Sequence, residues 1–120
     1  MHSKLKWKLQ VKPKKQSETR TIWDICFSPD GSQIVVAATS RVLVYNGDDR
    51  SLIKSLRGHT GAVYAVCYAR DGKRFASGGA DNHIIIWTSE CEGLLKYSHN
   101  DPIQSLSYNS TTNALLSCTA

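Results

Sequence analysis

His59, Ser77 and Asp81 are the residue types of a hydrolase triad: a nucleophile, a general base and an acid that orients it. A catalytic serine also needs a strained elbow that exposes its oxygen, and donors placed for an oxyanion. Neither surrounds Ser77. The same His and Ser types return about 40 residues later as His99 and Ser117, which a repeat explains and a unique active site does not. The residues therefore predict no enzyme. Metal chemistry is no better supported, because His2, His59, His83 and His99 lack ligand spacing and Cys26, Cys67, Cys91 and Cys118 form no Cys-x-x-Cys pair. The pair Gly78-Gly79 reads as a turn signal, since a phosphate cradle would need a Gly-rich loop followed by a helix. No cofactor is expected.

The elements that must position these groups are short. Ala62 to Tyr68, Arg74 to Ser77 and Ile84 to Trp87 are runs rich in β-branched, aromatic or small residues, separated by turns at Asp71-Gly72 and around Asp81. They read as antiparallel strands, with Leu94 to Tyr97 as an outer fourth. His59 follows Gly58 ahead of the first strand, Ser77 lies on the second, and Trp87 ends the third.

His59, Ser77, Asp81 and Trp87 occur at the spacing of a WD40 repeat, together with Gly58, Asp71-Gly72 and Ser77-Gly78, and the stretch resembles one blade of that family. Thr88 replaces the Asp that usually follows the Trp. The resemblance implies a structural relay in which Trp87 meets Ser77, Ser77 meets His59, and His59 meets Asp81. Each of those groups, if left unpaired inside the protein, would cost roughly 1–3 kcal/mol. Asp81→Ala or His59→Ala is thus expected to destabilise the blade and remove no activity.

Ile22 to Tyr45 repeats the pattern more weakly. Phe27-Ser28-Pro29-Asp30-Gly31 matches Tyr68-Ala69-Arg70-Asp71-Gly72, and Val42-Leu43-Val44-Tyr45 matches Ile84-Ile85-Ile86-Trp87, with Tyr45 in place of the Trp and no Gly-His or turn Asp. Such irregularity suits a terminal repeat. Asn46-Gly47-Asp48-Asp49 is a hairpin turn before an outer strand from Ser51 to Leu56. Ile103 to Tyr108 and Ala114 to Ser117 begin a further repeat. The reading is all-β: a partial WD40 β-propeller with a closing strand in the basic segment 1–21, a degenerate blade at 22–57, a blade with the full quartet at 58–97 and half a blade at 98–120. A propeller closes with roughly four to eight blades, so the chain is expected to be the beginning of a larger protein whose remainder completes the ring.

Charge is unevenly placed. Of fifteen Lys and Arg, seven lie before Ile22 together with one of the ten acidic residues. There Lys4, Lys6, Lys8 and Lys12 alternate with Leu5, Trp7, Leu9 and Val11, the pattern of a half-buried strand with a cationic outer face. Lysine on an edge strand also discourages aggregation. A nuclear import signal at Lys12-Pro13-Lys14-Lys15, an RNA contact and an acidic-lipid contact are the competing readings. No run is long and apolar enough for a membrane span or a secretory signal, so a cytosolic or nuclear location is expected, with no disulfides and small buried thiols.

The run from Tyr68 to Gly78, followed by Ile85-Ile86-Trp87-Thr88-Ser89, Glu92-Gly93, Lys96-Tyr97 and His99-Asn100-Asp101, is similar to the N-terminal propeller of the intraflagellar transport protein 122 family, whose members are subunits of intraflagellar transport complex A. That resemblance runs from about Ile22 to Ser117 and includes loop positions that a generic repeat leaves free. It implies a non-catalytic scaffold in retrograde transport and cilium assembly, in the cytoplasm and the cilium (axoneme and basal body). Its partners would be other complex A subunits and ciliary membrane-protein cargo, with no nucleic acid. From turn placement alone, Arg70, Lys73, Arg74 and Asn82 are candidate exposed contacts, beside Lys4, Lys6 and Lys8. The runner-up is a WD40 adaptor of a ubiquitin ligase or chromatin complex.

Overall fold

A computed structural model describes residues 21–109, 112 and 114–119. The expected closing strand and Lys4, Lys6 and Lys8 lie outside the described residues. The chain runs through β1 (Asp24–Phe27), β2 (Gln33–Ala37), β3 (Val42–Asn46), β4 (Leu52–Leu56), β5 (Val63–Tyr68), β6 (Arg74–Gly79), β7 (His83–Thr88), β8 (Gly93–Ser98), β9 (Ile103–Tyr108) and β10 (Leu115–Thr119). These form three antiparallel sheets in sequence order, β1 to β4, β5 to β8, and β9 with β10. No helix occurs among the described residues, so none is long and apolar enough to cross a membrane.

Alternation along each strand decides which seam a side chain enters. On β2 and β3, Val35, Ala37, Val42 and Val44 join Val63, Val66, Phe75, Ile85 and Trp87 of the second sheet in one core cluster. Their neighbours Ile34, Val36, Leu43 and Tyr45 form a cluster on the opposite face. On β7, Ile85 and Trp87 enter the first seam, while Ile84 and Ile86 pack with Ile103 of the third sheet and Ala76. Both faces of these strands are therefore covered, which is why their sequences are apolar without a polar alternate. Among the described residues the core is two seams between stacked sheets and a third cluster on the outer face of the first sheet. Burying Phe75 or Trp87 in the first contributes roughly 1.5–3 kcal/mol each.

The repeat extends to backbone detail. Gly31 and Gly72 occupy matching turns with φ of 76° and 74°, a conformation that a Cβ disfavours. Bulges recur as well: Ile53 on β4 and Leu94 on β8 are each the extra residue of a two-against-one bulge, and Tyr64 on β5 and Gln104 on β9 are another such pair. In the turn after Asn46 the left-handed residue is Arg50, at φ 60°, and not Gly47.

One local expectation is corrected. Gly78 and Gly79 do not turn; they end β6. A Cβ on Gly78 would lie 2.7 Å from Cγ2 of Ile103, and one on Gly79 would strike the Ala62 carbonyl. The glycines are there for close approach between neighbouring strands. The thiols also differ from expectation: Cys91 is buried, whereas Cys26 and Cys67 are half-buried. Burial nevertheless raises the pKa of all three, that of Cys67 to about 12.

Candidate functional site

His59 stands in the link between β4 and β5, Ser77 on β6, Asp81 in the β6–β7 turn and Trp87 near the end of β7. Phe75 pairs with Trp87 and Ser77 with Ile85, so Ser77 lies diagonally across from Trp87 on the same sheet face. The indole Nε1–H donates to Ser77 Oγ at 2.9 Å. His59 Nε2 is 2.7 Å from the same oxygen, and His59 Nδ1 lies 3.0 and 3.1 Å from the two Asp81 oxygens. The phenyl ring of Phe75 stacks on the indole at a centroid distance of 6.4 Å and holds its plane.

Only one assignment of protons uses every group with a neutral imidazole. The indole can only donate, so Ser77 accepts and passes its own hydrogen to Nε2; His59 then carries its proton on Nδ1 and donates to Asp81. Burial lowers the His59 pKa more than the Asp81 carboxylate raises it, which keeps the ring neutral, and Lys96 and His83 act in the same direction as burial. Burial alone would raise Asp81. It is outweighed by the Thr60 N–H, the His59 ring and the His83 N–H, and the carboxyl is held below its ordinary value. The Thr60 amide reaches Oδ2 at 3.0 Å and the His83 amide Oδ1 at 3.1 Å.

This arrangement has the connectivity of a hydrolase triad without its access. Ser77 is 0% exposed, and its oxygen already serves Trp87 and His59. An attacking serine needs a free approach to a carbonyl carbon, and this oxygen has none. What the relay does is fasten the link before β5, the β6–β7 turn and the middle of the second sheet to one another. Among the described residues, no group of three or more His, Cys, Asp and Glu could hold a metal ion.

The first sheet handles the same face differently. Val36 stands in the register of Ser77 and Tyr45 in that of Trp87, both buried. Serine and indole N–H have gone together, so no half-satisfied pair is left behind. His99 and Ser117, the later copies, are both exposed, and among the described residues no hydrogen bond joins them.

Arg70, Lys73 and Arg74 are exposed around the β5–β6 turn. Asn82 is not the free surface residue that turn placement suggested. It is half-buried at φ 67°, its side-chain amide donates to the Asn100 carbonyl at 3.2 Å, and its own carbonyl accepts the His99 N–H at 2.8 Å. Asparagine tolerates that left-handed turn, and here it also ties the second sheet to the start of the third. Sequence reasoning missed a second tie. Tyr68 Oη donates to Gln33 Oε1 at 2.9 Å and Gln33 Nε2 to the Ser89 carbonyl at 3.0 Å, across the first seam. These residues line a cavity of about 420 Å³ with Asp30, Asp71 and Glu90 at its rim. A polar Gln opening an otherwise apolar strand was the available signal.

A family model described as IFT122 first beta-propeller matches residues 21–120. The chain belongs to the intraflagellar transport protein 122 family. Curated members of the family include the intraflagellar transport protein 122 homologs of Danio rerio, 61% identical over 99 residues and 82% of this chain, and of Homo sapiens, 58% identical over 97 residues and 81% of this chain. The chain spans 8% of the length of each. Among solved structures, that of the RRP9 WD40 repeats superposes with a TM-score of 0.78 over 85% of this chain and 33% of that one, at 24% identity, which shows the fold alone. The fold is thus a partial WD40 β-propeller whose sheets are not closed into a ring, as the repeat spacing predicted. In this chain the relay is the internal brace of the second sheet.

Proposed function

We propose that this chain is a non-catalytic segment of a WD40 scaffold that mediates protein–protein contacts in intraflagellar transport, serving retrograde transport, cilium assembly and the trafficking of ciliary membrane proteins. The observation that carries the reading is membership of the intraflagellar transport protein 122 family over residues 21–120. The relay supports it, because its polar groups are turned inward and committed to holding a rigid sheet. Function then falls to loops and edges that such a sheet presents. The repeat is read as blades at 22–57, 58–97 and from 98 onward. Its partners are other complex A subunits and cargo, and its place is the cytoplasm and the cilium.

Affinity capture of the tagged full-length protein from ciliated cells, with mass spectrometry of the chains that co-purify, tests this directly. Recovery of other complex A subunits is the expected result. Ubiquitin-ligase or chromatin components in their place would leave the propeller standing and make the ciliary reading wrong.

A further inference from the structure

The cavity between the first and second sheets opens among the β1–β2, β5–β6 and β7–β8 turns, and each of those sheets has its four strands. Its volume of about 420 Å³ is that of a small-ligand site. The half-buried tie of Tyr68 Oη, the Gln33 amide and the Ser89 carbonyl forms its floor. Each turn adds one exposed carboxylate to the rim: Asp30, Asp71 and Glu90. Among the described residues no lysine, arginine or histidine lines it. Arg70 and Lys73, in the turn that carries Asp71, are exposed and outside the lining.

Asp30 is fixed in place. Its Oδ1 accepts the Ser32 N–H at 3.0 Å and the hydroxyls of Ser32 and Ser28 at 2.7 and 2.8 Å, while no hydrogen bond among the described residues reaches Oδ2. The Ser32 N–H and those hydroxyls lower its pKa to about 2, so the group is anionic near neutral pH. The rim carboxylates do not come together as the ligands of a metal ion would. Acceptors spread around a mouth of this size suit a planar cation with several donors.

The repeat points to the same chemistry independently. Arg74 opens β6 in the register at which Gln33 opens β2, since they pair with Thr88 and Asn46, and Tyr108 ends β9 as Tyr68 ends β5. At the second seam the chain thus carries its own guanidinium in this register. At the first a neutral amide stands there, beneath three carboxylates.

We propose that this cavity is a binding site for an arginine side chain of a protein partner, its guanidinium held by Asp30 and Glu90 above the Gln33–Tyr68 tie. The proposal deepens the reading of the chain as an interaction module and rests on it.

The test titrates the nitrogen-15-labelled full chain with a capped five-residue peptide that has one arginine among glycines and alanines. A citrulline peptide matches its shape without the charge, and a lysine peptide matches the charge without the planar fork. The expected result is saturable shifts of the Gly72 and Ser89 amides with the arginine peptide and none with citrulline. Affinity should fall roughly fivefold or more in Glu90→Gln, whose side chain is exposed, and fall with added salt. Gln33→Arg, which gives the first sheet the residue of the second, should fill the site and abolish binding; unchanged thermal midpoints show that both variants fold. No saturable shift up to about 10 mM peptide, equal binding of the citrulline or lysine peptide, or undiminished affinity in Glu90→Gln overturns the proposal. In each of those cases co-purification of complex A subunits with the full-length protein still stands or falls separately.

Discussion

Removing the Ser77 hydroxyl strands two buried partners at once, the indole N–H of Trp87 and Nε2 of His59. Ser77→Ala should therefore cost about 1–3 kcal/mol, measured by urea unfolding. Trp87→Phe added to it removes the stranded donor and leaves only the Nε2 acceptor unpaired, so the double variant should lose less than the sum of the two singles; additive losses would refute the relay. Titration tests the same residues. The folded His59 pKa lies below the ordinary histidine value of 6.5, so on acidification the unfolded chain takes up the proton first. Its stabilising contribution is full above about pH 6.5 and is lost as pH falls from there through the folded value. Asp81, held below 3.8, adds a second loss as pH falls through its own folded value. The urea midpoint should drop between about pH 8 and pH 5 in the parent and drop less in His59→Gln; equal slopes would show that His59 is not the group responsible. The four relay residues were legible because side-chain types at fixed spacing carry a pattern. The amides of Thr60 and His83 that complete Asp81 were not, since a backbone N–H looks the same at every position.

At the scale of strands, close approach matters more than composition. Gly78 was misread because the side chain that forbids a Cβ there, Ile103, belongs to a strand of another sheet. Local sequence can signal a turn; it cannot announce a neighbour that arrives from 25 residues away. The strands themselves were readable, because Val, Ile and aromatic runs bounded by Asp-Gly turns leave few alternatives. Gly78→Ala should push β9 off β6 and destabilise their contact by about 1–3 kcal/mol. Amide hydrogen exchange would place the effect. Faster exchange confined to β9 and β10 is expected, and equal acceleration in β2 and β3 would mean that the sheets do not open separately. The Gln33 tie makes the complementary case at the first seam, where Gln33→Ala would leave the Tyr68 hydroxyl and the Ser89 carbonyl to find other partners.

For the molecule as a whole, repeat-equivalent positions report what the next sheet does for the one before it. Leu56 and Tyr97 occupy one register, but only Leu56 has a four-stranded sheet packed over it. Among the described residues, the first seam packs two four-stranded sheets together, whereas the second packs a four-stranded sheet on β9 and β10. Leu56→Ala should accordingly cost about 2–4 kcal/mol, in the range of buried leucines. Tyr97→Ala, which removes the larger side chain, should cost less than about 1 kcal/mol in this chain because half of that side chain already faces water. Chemical denaturation of the two variants beside the parent decides it. A Tyr97 loss as large as that at Leu56 would mean that half a sheet covers its neighbour as well as a whole one does. Near-neutrality at Tyr97 would instead tie the worth of each outer strand to the completeness of the sheet that follows, which is the cooperative logic of a propeller built from stacked repeats.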